Sequence, residues 1–210
     1  MKKRSLMLCL ACLYLFSSCS DNDAELVFQT KESEKFFPLS ESNYWIYERT
    51  RTNVDGTVDT FMDTSSIVGV EEIDDELYYQ FESTNPLLFN YLVRDSSGYL
   101  ITPNGTVVFS FDENYTGEQV NVVGGGGAGD VARFESIMEE EYIDVEVPAG
   151  IFNCRSYQTT VIDLTSNPMP MEDRTSYTQY NKEVGLVFYS VYYFSNPNPE
   201  TMELVEYSIE

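Results

Sequence analysis

Between Glu141 and Tyr193 the chain carries two hairpin patterns in succession, and no other stretch restricts the fold as much. Ile143, Val145 and Val147 alternate with Tyr142, Asp144 and Glu146, the period-2 pattern of a half-buried strand. Val147-Pro148-Ala149-Gly150 follows. Proline presets φ and glycine is free to take the left-handed region, so a bulged three-residue hairpin loop is predicted. Residues 151–162 return as a strand rich in β-branched, aromatic and Thr residues. The second hairpin rises through residues 176–180, turns over residues 181–185 and descends from Leu186 to Phe194. A chain committed to these pairings builds a sheet, and the side chains in them carry no catalytic pattern.

The rest of the chain extends the same theme. Trp45 stands in a strand between Tyr44, Ile46 and Tyr47, where a large ring is expected in the core or on the sheet face. Asp55-Gly56 is a strong hairpin signal. Residues 57–73 read as β, turn over Asp74-Asp75-Glu76 and resume at residues 77–81. Short strands are predicted at residues 89–93, 99–102 and 106–111, and a last one at residues 204–210 with Val205, Tyr207 and Ile209 on its dry face. The Gly124–Gly129 run is followed by Asp130 rather than by the helix and Lys, Ser or Thr of a phosphate cradle, so it reads as a surface loop. Asn167–Met171 and Asn196–Pro199 read as further loops. No amphipathic helix of three turns emerges. The expected fold is all-β: an antiparallel meander of roughly ten strands forming a curved sheet, a sandwich or a partly closed barrel.

The amino-terminal segment stands apart from this fold. Lys2, Lys3 and Arg4 precede an apolar stretch from Leu6 to Phe16, too short to span a bilayer and patterned as a signal peptide. Ser17-Ser18 lead directly into Cys19, the arrangement that bacterial lipoprotein signal peptidase cleaves. The expectation is a lipoprotein signal peptide over residues 1–18, with Cys19 as the lipidation site carrying a diacylglyceryl thioether and an amide-linked palmitate-type chain. A lipidated acidic tether then spans residues 19–35, and a single all-β domain spans residues 36–210. Each buried methylene contributes about 0.8 kcal/mol, so several acyl chains anchor the protein durably without a transmembrane helix.

Two resemblances follow from these residues. Cys19-Ser20-Asp21-Asn22-Asp23 resembles the tether of surface-exported outer-membrane lipoproteins of the Bacteroidota. That likeness implies an outer-membrane, cell-surface location read from Asp21 and Asp23, the alternative being the periplasmic face. Phe36-Phe37-Pro38-Leu39 with Asn43-Tyr44-Trp45 is similar to the start of secreted or lipid-anchored bacterial domains of unknown function. Their Val-Pro-Ala-Gly-x-Phe hairpin matches Val147–Phe152, and their Val-Gly-Leu-Val strand start matches Val184–Val187. The chain departs from that pattern at Glu41-Ser42, where a glycine is usual before Asn. These motifs are structural and imply no activity.

Charge and side-chain inventory narrow the function. Three of the 12 basic residues and none of the 35 acidic ones fall in residues 1–18, which leaves 9 against 35 and a net charge of −26 on the processed chain. Such a field repels phosphate backbones, so nucleic acid is excluded as a partner. The chain has no His, which removes Ser-His-Asp and Cys-His catalysis and imidazole zinc sites. Cys154 is the one thiol left after Cys9, Cys12 and Cys19 are accounted for; it sits on the strand face of Phe152 and is expected to be a buried structural group. Acid pairs suited to a carboxylate-based glycosidase occur, but no spacing singles one out. The runs Glu71-Glu72 with Asp74–Glu76, and Glu139–Glu141, lack the alternating calcium-loop spacing and read as solvated turns. No cofactor or metal is expected. The reading is a non-enzymatic binding or accessory module of the envelope, held to the membrane through Cys19, with a glycan or an envelope protein as partner. A carrier of apolar molecules in a curved-sheet cavity is the alternative. An open apolar concavity would favour the carrier, and a flat rim of exposed tyrosines the glycan binder.

Overall fold

The computed structural model describes residues 36–85, 88, 91–124, 129–165, 173–193 and 196–210. The expected signal peptide over residues 1–18, Cys19 and the expected acidic tether lie outside these residues, as do the centre of the glycine run and Asn167–Met171. Twelve strands are present: β1 (Tyr44–Thr52), β2 (Val58–Ile73), β3 (Glu76–Ser83), β4 (Tyr91–Ser96), β5 (Tyr99–Ile101), β6 (Val107–Ser110), β7 (Gln119–Gly124), β8 (Asp130–Val147), β9 (Gly150–Asp163), β10 (Arg174–Asn181), β11 (Gly185–Tyr192) and β12 (Pro199–Ser208). Among the described residues there is no helix.

All the strands join one antiparallel sheet in the order β6-β5-β4-β3-β2-β1-β12-β11-β10-β9-β8-β7. This is chain order bent into a ring, sealed between β1 and β12 and left open between β6 and β7. The two free edges are therefore consecutive strands. The expected curved all-β meander is found, and it does not close into a barrel.

Side chains bridge the open seam. Phe109 of the edge strand β6 stacks on Tyr180 of β10, with ring centroids 4.4 Å apart. Arg155 of β9 is 1% exposed. It donates to the carbonyl oxygens of Ser110 and Asp112 (3.0 and 2.6 Å), Tyr115 (3.3 Å) and Glu139 (3.1 Å). The Met138 amide bonds the Thr116 carbonyl at 2.6 Å. One guanidinium and one linker thus do at the seam what a ladder does elsewhere.

The core is aromatic. Trp45 is 3% exposed, stacks on Phe81 and donates Nε1–H to the Val184 carbonyl at 2.6 Å. Phe37, from the segment just before β1, packs against Phe111 and Tyr180. Each such ring contributes about 1.5–3 kcal/mol on burial.

Three details differ from the sequence expectation. The β8–β9 loop has two residues rather than three, because Val147 pairs directly with Gly150, whose φ is +139°. Within that hairpin Val145 and Val147 are buried but Ile143 is 44% exposed, and at the tip the Ala149 amide bonds the Leu204 carbonyl at 3.0 Å. In β12 the expected dry face of Val205, Tyr207 and Ile209 does not hold, since Val205 is only half-buried and Tyr207 is 39% exposed. A bulge there pairs Ile46 with Glu206 and Tyr47 with Leu204, so the inward set upstream is Glu200, Met202 and Leu204. The extra residue switches the phase, as bulges do.

Candidate functional site

The inward residues of β1 change character along the strand. Trp45 and Tyr47 lie in the aromatic core, and Arg49, two residues on, is a buried cation. Pairing supplies its partners. Glu200 of β12 stands opposite Arg51, and Asp63 of β2 stands opposite Tyr47. Arg49 Nε reaches Asp63 Oδ2 at 2.6 Å and its Nη1 reaches Glu200 Oε1 at 2.9 Å. Arg51 Nε holds the other oxygen of Glu200 at 2.6 Å. The Phe61 ring lies under the Arg49 guanidinium at 4.3 Å. Arg49, Asp63 and Glu200 are 8%, 4% and 2% exposed. Burial pushes the Glu200 carboxyl up, but the hydrogen bonds and charges of Arg51 and Arg49 outweigh it and hold the group below its ordinary range.

Such a buried network is no bargain for stability, because desolvation offsets most of the attraction and apolar side chains of similar volume often do as well. What it does supply is position. Glu200 fixes the Nε edge of Arg51, whose side chain is 38% exposed. Arg51 then lines an open groove of about 380 Å³ with Asn53, Val54, Tyr193 and Asn196. The groove is lined by residues of the β1–β2 loop and by Tyr193 and Asn196, which follow β11. Asn53 donates its backbone N–H to the Thr57 carbonyl at 2.8 Å and Nδ2–H to Thr57 Oγ1 at 3.0 Å, across a turn in which Gly56 has φ +83°. Asn196 Nδ2 donates to the Thr52 carbonyl at 2.9 Å, and Asn198 Nδ2 to the Asn53 carbonyl at 3.2 Å. Arg174 of β10 donates to the carbonyls of Tyr193 and Asn196 at 3.2 and 2.7 Å. The Tyr193 phenol is raised above its ordinary range, by burial first and then by the Glu200 charge, with Arg51 opposing. Chemically the groove offers one apolar ring, one cationic fork and planar amides.

None of the five groove residues is singled out by the sequence. The period-2 spacing of Arg49 and Arg51 behind Tyr47 is the one available signal; their partner Glu200 is remote in the chain, so it is invisible until β12 pairs with β1.

Other candidates are placed as follows. Cys154 is 0% exposed. Burial, with a smaller push from the Asp144 charge, raises its thiol to about 12, which leaves it inert as a nucleophile. Glu139–Glu141 form a wide bulge opposite Ser156 and line a depression with Glu113 and Arg155. Among the described residues no group of three or more acidic or thiol side chains is placed to hold a metal ion. The aromatic core encloses a space of about 40 Å³ between Phe37, Trp45, Tyr47, Tyr91 and Tyr180, room for a few waters and not for an acyl chain. The most exposed tyrosines, Tyr177 and Tyr207, lie on separate strands and do not line the groove. Cys19 lies outside the described residues.

No family model matches the chain, and no curated protein matches it. Among solved structures, the chain is similar to an inferred lipoprotein of Parabacteroides distasonis, with a TM-score of 0.46 and 18% identity over 82% of this chain and 98% of that one. It is also similar to an inferred exported protein of Bacteroides fragilis with a YmcC-like fold, with a TM-score of 0.40 and 15% identity over 82% of this chain and 98% of that one.

Proposed function

We propose that the protein is a lipid-anchored, non-catalytic binding module of the cell envelope that takes a glycan in the groove between its β1–β2 and β11–β12 loops. The observation that carries this reading is the groove itself. Tyr193 and Arg51 line it together, and Arg51 is held from beneath by a buried carboxylate. A tyrosine ring stacks on the apolar face of a sugar, while guanidinium and amide groups meet its hydroxyls. The site is an open depression whose two walls are tied together by hydrogen bonds from Asn196 and Asn198 to the carbonyls of Thr52 and Asn53. Nothing in it supplies a nucleophile or a proton-transfer pair.

The binding experiment uses an immobilised panel of bacterial and plant polysaccharides and the full lipidated chain in detergent. Wild type is expected to bind at least one member of the panel, and Tyr193→Ala to weaken that binding at least tenfold. Equal retention of both proteins on every glycan would sink the reading.

Anchoring is tested separately by labelled palmitate in the native host. Wild type should incorporate the label and Cys19→Ala should not. The double change Asp21→Asn, Asp23→Asn should leave labelling intact but shield the protein from proteinase added to whole cells. Equal labelling of wild type and Cys19→Ala would refute the anchor, and unchanged cleavage of the double variant would refute tether-directed export.

A further inference from the structure

We propose that the glycan bound in this groove is acidic, and that Arg51 reads a ring carboxylate of uronate type while Tyr193 stacks on the same sugar. This rests on the groove being the binding site, and it names the ligand class.

The argument starts from how few cations the chain has and where they are. Only 9 basic residues remain after processing, against 35 acidic ones. Arg49, Arg51 and Arg174 gather at the groove end of the sheet, around β1, β10 and the β11–β12 loop. Their tasks differ. Arg174 fixes the backbone at Tyr193 and Asn196. Arg49 lies within the sheet, with both its hydrogen bonds directed at Asp63 and Glu200. Arg51 is the partly exposed member, and Glu200 engages it through Nε alone. A guanidinium gripped along one edge presents its remaining donors in a fixed plane, the geometry that binds a carboxylate through two parallel hydrogen bonds. Glu200 is itself held by Arg49, and Arg49 by Asp63, so the fork is organised before any ligand arrives.

The surrounding field does not help. A net charge of −26 opposes an anionic polymer at long range, and Asp63 and Glu200 already balance Arg49 and Arg51, so the selectivity rests on the short-range contact with the Arg51 fork. The companion groups suit a pyranose acid: Tyr193 offers a ring and Val54 an apolar wall.

Isothermal titration of the full lipidated chain in detergent separates the alternatives, using matched pairs of oligosaccharides. Each pair is an oligouronide, of galacturonate or of glucuronate-containing repeats, and its carboxyl-reduced neutral counterpart. Wild type is expected to bind an oligouronide at least tenfold more tightly than its reduced form, with the difference shrinking as salt rises. Arg51→Gln should abolish that preference while keeping the weaker binding shared by both forms, and Arg51→Lys should restore only part of it. Tyr193→Ala should weaken both members of a pair together. If the reduced form binds wild type as tightly as the acid, the ligand-class proposal is overturned and the glycan reading stands. If neither form of any pair binds, and the polysaccharide panel is also negative, both fall. A preference that survives Arg51→Gln overturns the role given to Arg51.

Discussion

Replacing Arg155 by leucine is expected to destabilise the fold by about 3–5 kcal/mol, because it strips a charged donor from four buried or part-buried backbone carbonyls at once. The side chain is 1% exposed and donates to four backbone carbonyls, those of Ser110, Asp112, Tyr115 and Glu139. Hydrogen bonds from a charged donor contribute about 1.5–3 kcal/mol each, and some of that returns as the freed carbonyls reach water. Leucine restores none of them and leaves the seam between β6 and β7 without its bridge. For a domain of this size the melting temperature should fall by roughly 10 °C, at about 2–4 °C per kcal/mol. Urea unfolding of the variant beside wild type measures the loss, and amide exchange should show early opening around residues 111–118. A loss below about 1 kcal/mol would mean that the ring contact of Phe109 with Tyr180 and the bond from the Met138 amide to the Thr116 carbonyl hold the seam without Arg155.

The second large effect is expected at Glu200. Glu200→Ala should cost about 3–5 kcal/mol, because Arg49 is then buried with only Asp63 and Arg51 loses its anchor. The pH dependence has a definite sign. The Glu200 carboxyl lies below its ordinary value of 4.5 in the folded state, where hydrogen bonds from Arg51 and Arg49 overcome the upward push of burial. Its stabilisation is therefore complete above about pH 4.5 and is lost as the pH falls through the native value, since the unfolded chain takes up the proton first. The stability gap between wild type and Glu200→Ala should accordingly be flat at neutral pH and narrow in acid. A gap that widens in acid would contradict the assignment. A triple variant, Arg49→Met, Asp63→Leu and Glu200→Met, separates position from stability. Apolar replacement of the whole buried set should cost about 1 kcal/mol or less, or even stabilise, while glycan binding at Arg51 is lost. If the triple variant binds as well as wild type, the network does not position Arg51.

The sheet itself was legible because its signals are local. Alternation at Val145 and Val147, the Asp55-Gly56 turn and the paired turn at Asp74-Asp75 act over a few residues, and the last of these takes up positive φ at both aspartates. An all-β meander follows from such steps, since each hairpin dictates the next neighbour. β7 was not expected, although Val120 and Val122 alternate with Gln119 and Asn121; the pattern lasts four residues before Val123-Gly124, and the structure leaves every residue of Gln119–Gly124 exposed. The inward phase of β12 was hidden for another reason: the bulge at Val205 exists only once β1 is alongside.

What the sequence determined alone was therefore the class of fold and the imidazole chemistry that a chain with no His forgoes, whereas the export signal expected at Cys19 lies outside the described residues. Tertiary structure alone decided where the ring of strands stays open, how Arg155 spans that seam, and that Arg49, Arg51, Asp63 and Glu200 meet. Asp63 and Glu200 are far apart in the chain, and each on its own reads as one more surface carboxylate among 35 acidic residues. Pairing of β1 with β2 on one side and with β12 on the other removes water from both carboxylates at once. A buried charge must find an opposite charge or not be buried at all, and no local pattern encodes a constraint that arises only from the desolvation caused by folding.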